Sequence, residues 1–302
     1  MLRAVTPVRA VLRRINHGIA ALCWALLMAS AGAWVWQAAC ALPPSPGATQ
    51  FRGAIFAHRA QTGGAAPAPE NTLAAIRAAA QAGVRAVEVD VRLSADGRAV
   101  LMHDDTLDRT TDGAGPVSER TLADLRALSA DAGIADYAGE PVPTLDEAVA
   151  LARALGLWLE LDVKNVETSV VAEEIATVLA RHDAFATTFA SSFYPQVLYA
   201  VRSREPRVIT ALAIRPDATG IALVDRLLGS FWLPEWLGVG LVEPHRDLVS
   251  AERVAAWRRR GFVVNAWTVN AAEDKAYFQR LGIAITTNCP HAACPDDPSD
   301  SM

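Results

Sequence analysis

The 302-residue chain has little of what several classes of protein depend on. Only two of its 28 basic residues are lysine, and its net charge is −5. The negative net charge argues against a broad nucleic-acid-binding face, because phosphate contacts need clustered Lys and Arg. Four cysteines are too few for a small disulfide scaffold. No Gly-x-Gly-x-x-Gly motif follows the first predicted strand, which argues against an open dinucleotide-binding sheet.

Apolar residues are abundant, at 52% of the chain, and they are concentrated near the start. No charged residue occurs between Gly18 and Leu42, whereas four arginines and no acidic residue precede this stretch. Nineteen helical residues from Gly18 to Trp36 would span roughly 28 Å, close to the thickness of a bilayer core. We expect a cytoplasmic basic segment over 1–17 and a transmembrane anchor over 18–41, with the rest of the chain on the outer side of the membrane.

A cleaved signal peptide is the competing interpretation of this segment. Ala39-Cys40-Ala41 fits a small-x-small cleavage site, and cleavage there would give a secreted protein. The following residues, 42–51, are rich in proline and uncharged, as is typical of a linker. We expect the folded domain to occupy 52–295 and a short acidic tail to occupy 296–302. Residues 1–50 carry a charge of +4, so the remainder carries −9.

Beyond the linker, short apolar runs alternate with helical patterns, which predicts an α/β protein. The predicted strands are Ala54–Ala57, Val84–Asp90, Leu157–Lys164, Thr188–Ser192, Val208–Ile214, Val239–Glu243, Val263–Val269 and Ile283–Thr286. The predicted helices include Asn71–Ala82, Leu145–Leu155, Val170–Arg181, Tyr194–Arg202, Ala251–Arg260 and Ala271–Leu281. Eight strands that alternate with helices are typical of a TIM-type (β/α)₈ barrel.

A small hairpin insertion is predicted after the second strand. Residues 93–98 are too few for a crossover between parallel strands, and Asp96-Gly97 is a hairpin signal. A turn centred between Ala95 and Asp96 pairs Glu88 with His103. That register brings His103 close to the acidic residues of the second strand.

Polar residues stand at the carboxyl ends of the predicted strands, where barrel enzymes carry their catalytic groups. These clusters are His58-Arg59, Glu88-x-Asp90, His103-Asp104 and Asp162-x-Lys164, with Glu160 on the same face as Asp162. Converging carboxylates repel one another unless a cation neutralises them, and oxygen ligands favour Mg²⁺ or Ca²⁺. The cations and histidines around such an ion suit a phosphoryl group. Taken singly, a Glu-x-Asp pair on a strand is more often a solvated face.

The order and spacing of these motifs resemble the glycerophosphodiester phosphodiesterase family, and the similarity extends from about Ala54 to Pro290. The closest resemblance is to the membrane-anchored animal-type subgroup. The residues that carry it are Ala57-His58-Arg59, Pro69-Glu70-Asn71-Thr72, Glu88-Val89-Asp90, His103-Asp104, Leu107-Asp108-Arg109-Thr110-Thr111, Gly113-x-Gly115, Pro143-Thr144-Leu145, Asp162-Val163-Lys164, Ser192-Phe193 and Ala266-Trp267-Thr268-Val269-Asn270.

The resemblance implies metal-dependent hydrolysis of a glycerophosphodiester to glycerol 3-phosphate and an alcohol. It implies an acid/base pair of histidines, His58 and His103. The implied metal ligands are Glu88, Asp90 and Asp162, with Glu160 as the competing third ligand. The implied substrate-binding residues are Arg59, Lys164 and Trp267, with Glu70 in a supporting role. Core packing remains the alternative interpretation of Trp267.

Two other functions remain open from the sequence. A lysophospholipase D-type or phospholipase C-like enzyme would act on a lysophospholipid with the same site. A membrane-anchored module that binds phosphodiesters without hydrolysis is the non-enzymatic alternative, and the replacement of the family's glycine by Ala60 favours it. The sequence predicts no nucleic-acid partner and does not determine the oligomeric state. Cys289 and Cys294 are close enough in the chain to form a disulfide in an oxidising compartment.

Overall fold

A computed structural model describes residues 41–63, 68–164, 167–216, 232–292 and 294. The predicted basic segment, nearly all of the predicted anchor and the predicted acidic tail lie outside these residues. Among the described residues, no helix has the length and apolar character needed to cross a membrane.

Eight parallel strands close into a barrel, which confirms the predicted α/β architecture. The order around the barrel is β1-β2-β4-β5-β6-β7-β8-β9, and β9 pairs with β1 to close it. The ninth strand, β3, is antiparallel to β2 and lies outside the closed ring. The strands are β1 Ile55–Ala57, β2 Ala86–Leu93, β3 Ala99–Leu101, β4 Trp158–Val163, β5 Thr188–Ser192, β6 Ile209–Ile214, β7 Leu241–Pro244, β8 Val263–Ala266 and β9 Ala284–Thr287.

Helices pack between successive strands, and their ends follow local capping signals. Thr144 and Glu147 form a capping box at the start of one helix, which ends at Gly156 in the left-handed conformation. The described helices are α1 Leu73–Gln81, α2 Leu122–Arg126, α3 Leu145–Leu155, α4 Thr168–Arg181, α5 Pro195–Arg204, α6 Trp232–Leu237, α7 Ala251–Arg259 and α8 Ala272–Leu281.

The hairpin exists, but the predicted register is wrong by one residue. Val91, not Asp90, pairs with Leu101. The Ser94 amide donates to the carbonyl of Arg98, so three residues and not two form the loop, and Gly97 adopts φ +74° there. A three-residue loop with a left-handed glycine is a common hairpin connection. His103 therefore follows the end of β3, outside the ladder.

Aromatic side chains fill the end of the barrel at which the strands begin. Phe51 is fully buried there, and its ring centroid lies 5.0 Å from that of Phe189 and 5.5 Å from that of Trp158. The segment 42–51, for which the sequence predicts a linker, crosses this end of the barrel. The Leu42 amide donates to the Trp236 carbonyl at 2.9 Å and the Ser45 amide to the Gly238 carbonyl at 2.7 Å.

The alternation of side chains along the strands places polar groups inside the barrel. On β4, Leu159 and Leu161 point outward into the packed helices, while Glu160 and Asp162 line the central cavity. The outer face of β4 thus packs against the helices, and its inner face lines the cavity above the aromatic base. The cavity opens at the carboxyl ends of the strands, where the polar clusters of the sequence meet.

Candidate active site

Three carboxylates converge on two neighbouring strands. The parallel register pairs Glu88 with Glu160 and Asp90 with Asp162. Glu88, Asp90 and Asp162 each bring one carboxylate oxygen to within 4.8 Å of the others. The Lys164 ammonium lies 2.6 Å from Asp162 Oδ2 and 3.0 Å from Asp90 Oδ1. The predicted cluster of acids is therefore present as one group, with Lys164 at its edge.

The three carboxylates fit a hard divalent cation. Glu88 Oε1 and Asp162 Oδ1 are buried oxygens without a hydrogen-bond donor. Burial raises the pKa of Glu88 well above its usual range, and the charges of Asp90 and Asp162 raise it further. A bound cation would offset this repulsion and satisfy the orphaned oxygens, since carboxylates are the ligands that Mg²⁺ and Ca²⁺ prefer. The same burial would raise the pKa of Asp90, but the charges of Lys164, His103 and Arg59 outweigh it and lower that pKa.

His58 and Arg59 lie directly after β1, where the backbone turns sharply. Arg59 has φ +54° and is almost fully buried, and its amide donates to Glu88 Oε2 at 2.6 Å. The Arg59 Nη1 atom lies 3.4 Å from both carboxylate oxygens of Glu70. Ala60, at the position where the resemblance implies a glycine, also adopts a left-handed conformation, with φ +58°. The chain therefore keeps the turn without the glycine.

The two histidines reach the site with different hydrogen-bond partners. His58 Nδ1 lies 2.7 Å from the amide oxygen of Asn288. Burial lowers the pKa of His58 to about 3, and the charge of Arg59 adds to this effect. His103 Nδ1 instead lies 2.7 Å from a carboxylate oxygen of Asp104. One imidazole is thus held by a neutral group and the other by a charged one.

Trp267 lies in the wall of the cavity, beside the acidic cluster. Its indole nitrogen donates to the Glu243 carbonyl at 2.7 Å. Its ring meets those of Phe193 and His245 edge to face, with centroids 5.3 Å and 5.0 Å apart. Trp267 therefore combines packing with a surface that faces the cavity, so the two interpretations of this residue are compatible.

Several polar residues of the site were not predicted. Asn288 follows the last strand, and an amide carries no signal in a search for titratable groups. Glu243 and Asn265 lie inside the barrel one layer below the cluster of three carboxylates, where Asn265 Nδ2 donates to Glu243 at 2.8 Å and Glu160 at 3.2 Å. Strand alternation could have identified Glu243, because it ends a predicted strand. A disulfide joins Cys289 and Cys294, immediately after Asn288.

The sequence model of the glycerophosphoryl diester phosphodiesterase family matches residues 58–291. The chain belongs to this family. The match begins at His58 and includes the carboxylate cluster, His103, Lys164 and Asn288. Membership makes the protein a phosphoric diester hydrolase.

Individual relatives agree with the family assignment. Glycerophosphodiester phosphodiesterase 1 of Bos taurus is 35% identical over 263 residues, which cover 78% of each chain. The corresponding protein of Homo sapiens is 34% identical over 261 residues, or 77% of each chain. A phosphodiesterase of Oleispira antarctica, solved in complex with the product sn-glycerol 3-phosphate, is 30% identical with a TM-score of 0.70. That match covers 81% of this chain and 96% of the other.

Proposed function

We propose that this phosphodiesterase hydrolyses glycerophosphodiesters to glycerol 3-phosphate and an alcohol, with one divalent cation and two histidines. The observation that carries the proposal is the pair of imidazoles with unlike partners beside three clustered carboxylates. The product named for the Oleispira antarctica structure supports the glycerol 3-phosphate half of the substrate. Mg²⁺ and Ca²⁺ both suit the carboxylate ligands.

Glu88, Asp90 and Asp162 are the residues that would hold the cation. When bound, the ion polarises the phosphoryl oxygens and offsets the charge that develops on them. Arg59 and Lys164 add two fixed positive charges at the same end of the barrel. These charges favour a phosphodiester over a neutral ester, because they lie where the phosphate oxygens gain negative charge. Trp267 supplies an apolar wall against which the glycerol carbons pack.

The partners of the histidines support one direction of proton transfer. The Asn288 oxygen accepts the Nδ1 proton of His58, so Nε2 is the unprotonated nitrogen that removes a proton from the attacking oxygen. Asp104 accepts the Nδ1 proton of His103 and stabilises the imidazolium. His103 then donates its Nε2 proton to the oxygen of the leaving alcohol. His58 is the base and His103 the acid in this proposal.

The proposal extends to the membrane. The uncharged apolar segment 18–41, with its preceding arginines, supports a single-pass anchor with the catalytic domain on the outer side. The disulfide supports the same side, since disulfides persist in oxidising compartments. Alkaline extraction of membranes tests the anchor. Retention in the pellet is expected, whereas a soluble protein whose mature N-terminus follows Ala41 would indicate a cleaved signal peptide.

The decisive experiment is hydrolysis of glycerophosphocholine and glycerophosphoinositol by the full chain in detergent. We expect glycerol 3-phosphate as the product, loss of activity in EDTA and recovery with Mg²⁺ or Ca²⁺. His58→Ala and His103→Ala should each lower kcat by about 10²–10⁴-fold. Activity that survives chelation or both substitutions would overturn the mechanism. Release of lysophosphatidic acid from a lysophospholipid, or of a cyclic phosphate, would assign one of the alternative activities.

A further inference from the structure

Arg109 bridges two carboxylates that each contact a different functional side chain. Its Nε and Nη2 atoms donate to Asp104 at 2.7 Å and 2.9 Å. Its Nη1 and Nη2 atoms donate to Glu70 at 2.9 Å and 2.6 Å. All four carboxylate oxygens therefore accept a hydrogen bond from one guanidinium, a geometry that lysine cannot reproduce.

Each of the two carboxylates also contacts one of the proposed functional side chains, His103 or Arg59. Asp104 Oδ1, which accepts from Arg109, also lies 2.7 Å from His103 Nδ1. Glu70, whose side chain is only 7% exposed, lies 3.4 Å from the Arg59 guanidinium. Arg59 and His103 come from different parts of the chain, one after β1 and the other after β3. Arg109 connects these two parts across the rim of the site.

The electrostatics strengthen this bridge. The hydrogen bonds from Arg109 lower the pKa of Asp104 to about 2, so the aspartate is charged at neutral pH. The two carboxylates in turn raise the pKa of Arg109 above its usual range. Charge-assisted bidentate contacts fix both distance and angle. A fixed Asp104 holds the His103 ring in one orientation, and a fixed Glu70 limits the rotation of Arg59.

We propose that Arg109 is a positioning residue that holds His103 and Arg59 in register with each other through Asp104 and Glu70. The proposal rests on the acid/base and phosphate-binding roles assigned above to these two residues. Arg109 is itself 40% exposed, and it lies outside the lining of the central cavity. It acts on the reaction through its two carboxylate partners and does not touch the phosphate.

Kinetics of Arg109→Gln test the proposal, with Arg204→Gln as the matched control. Arg204 makes the same kind of two-pronged contact with Glu173, but on the outer helices. We expect Arg109→Gln to lower kcat by about 10–100-fold and to raise KM, while the affinity for the divalent cation changes less than about twofold. Arg109→Lys should recover only a minor part of the loss. Arg204→Gln should have kinetics within twofold of those of the unmodified enzyme.

Double variants separate positioning from direct binding. Asp104→Asn should lower mainly kcat, and Glu70→Gln should raise mainly KM. If Arg109 acts through these groups, each effect should be largely absent when the substitution is made in Arg109→Gln. Fully additive effects, or a rise in KM alone, would overturn the proposal and indicate that Arg109 binds substrate directly. Unchanged kinetics in Arg109→Gln would also overturn it.

A spectroscopic measurement keeps this test independent of the proposed activity. The Nδ1 proton of His103 should give a downfield NMR signal because it is donated to Asp104. His103→Ala assigns the signal, which should broaden or shift in Arg109→Gln and persist in Arg204→Gln. An unchanged signal would contradict the positioning role even if no substrate is hydrolysed. Failure of hydrolysis in the unmodified protein, with the NMR result as expected, would instead refute the proposed function.

Discussion

The barrel strands begin around an apolar interior and end around a charged one. On β1 and the residues that follow it, Phe56 lies fully buried among aromatic rings, whereas His58 reaches the acidic cluster. On β4, Trp158 contacts Phe51, whereas Asp162 faces Lys164. Only two residues in the first case, and four in the second, therefore separate hydrophobic packing from the charged site. The closed base can supply the stability that a cluster of repelling carboxylates does not.

A polar layer lies between these two ends. Its side chains point into the barrel, are buried and are linked by hydrogen bonds. They belong to Glu160, Ser191, Glu243, Asn265 and Thr286. Burial raises the pKa of Glu243 to about 7 and that of Glu160 well above its usual range. Burial thus favours the protonated forms of Glu160 and Glu243 in the middle layer, whereas the carboxylates of the upper layer are the ones that would hold a cation. This difference makes the layers separable by mutation.

Asp162→Asn should have the largest effect, because it removes charge from the upper layer only. We expect kcat/KM to fall by more than about 1000-fold, which corresponds to about 4 kcal/mol of transition-state stabilisation. Titration with Mg²⁺ or Ca²⁺ should show weaker binding. The melting temperature without the cation should stay the same or rise, because the substitution removes one of the three carboxylates that repel one another. Undiminished activity would exclude Asp162 as a ligand.

Phe51→Ala should destabilise the aromatic cluster at the closed end of the barrel without changing catalysis. The ring is fully buried and contacts Phe56, Trp158 and Phe189, so its truncation should cost about 3–5 kcal/mol of unfolding free energy. Denaturant unfolding measures this loss. Leu155→Ala, at a side chain with 41% exposure, is the control and should cost much less. The kcat of the folded variant should be unchanged; a large drop would mean that the two ends are coupled.

Asn288→Asp should have a smaller effect than the two substitutions above, and it should act on the pH dependence of kcat/KM. A carboxylate in place of the amide beside His58 Nδ1 favours the imidazolium, so it raises the pKa of His58 from about 3. A base must be unprotonated, and the acid limb of kcat/KM should therefore move to higher pH by about 1 unit or more. Asn288→Ala, which adds no charge, should lower activity without that upward movement. A shift to lower pH would contradict the assignment of His58 as the base.

The strands of the barrel and the charged residues at their carboxyl ends were easier to predict from the sequence than the contacts between those residues. Alternation of apolar runs and helical patterns identified eight parallel strands, and charged residues at strand ends identified Glu88, Asp90 and Asp162. The one-residue error in the hairpin arose because the predicted two-residue turn is centred between Ala95 and Asp96, whereas the observed three-residue loop is centred on Asp96. Partnerships such as His58 with Asn288 span 230 residues. They depend on barrel closure, which no local pattern contains.

Glu160→Gln should have the smallest effect on kcat/KM. It tests most directly whether the middle layer differs from the upper one. Burial and the neighbouring Glu243 raise the pKa of Glu160 well above its ordinary value, which favours the protonated carboxyl group. Glutamine has nearly the same shape and no charge, and kcat/KM should change by less than about threefold.

The pH dependence of stability provides a second test of the same substitution. The folded state holds the Glu160 proton more tightly than the unfolded state, so the unmodified protein loses stability as pH rises above the unfolded value of 4.5. Glu160→Gln should lessen that loss in denaturant titrations at pH 5 and above. A loss of activity and of cation affinity as large as that of Asp162→Asn would instead make Glu160 the third ligand. The carboxylates that hold the cation would then include Glu160, which lies two residues before Asp162 on β4.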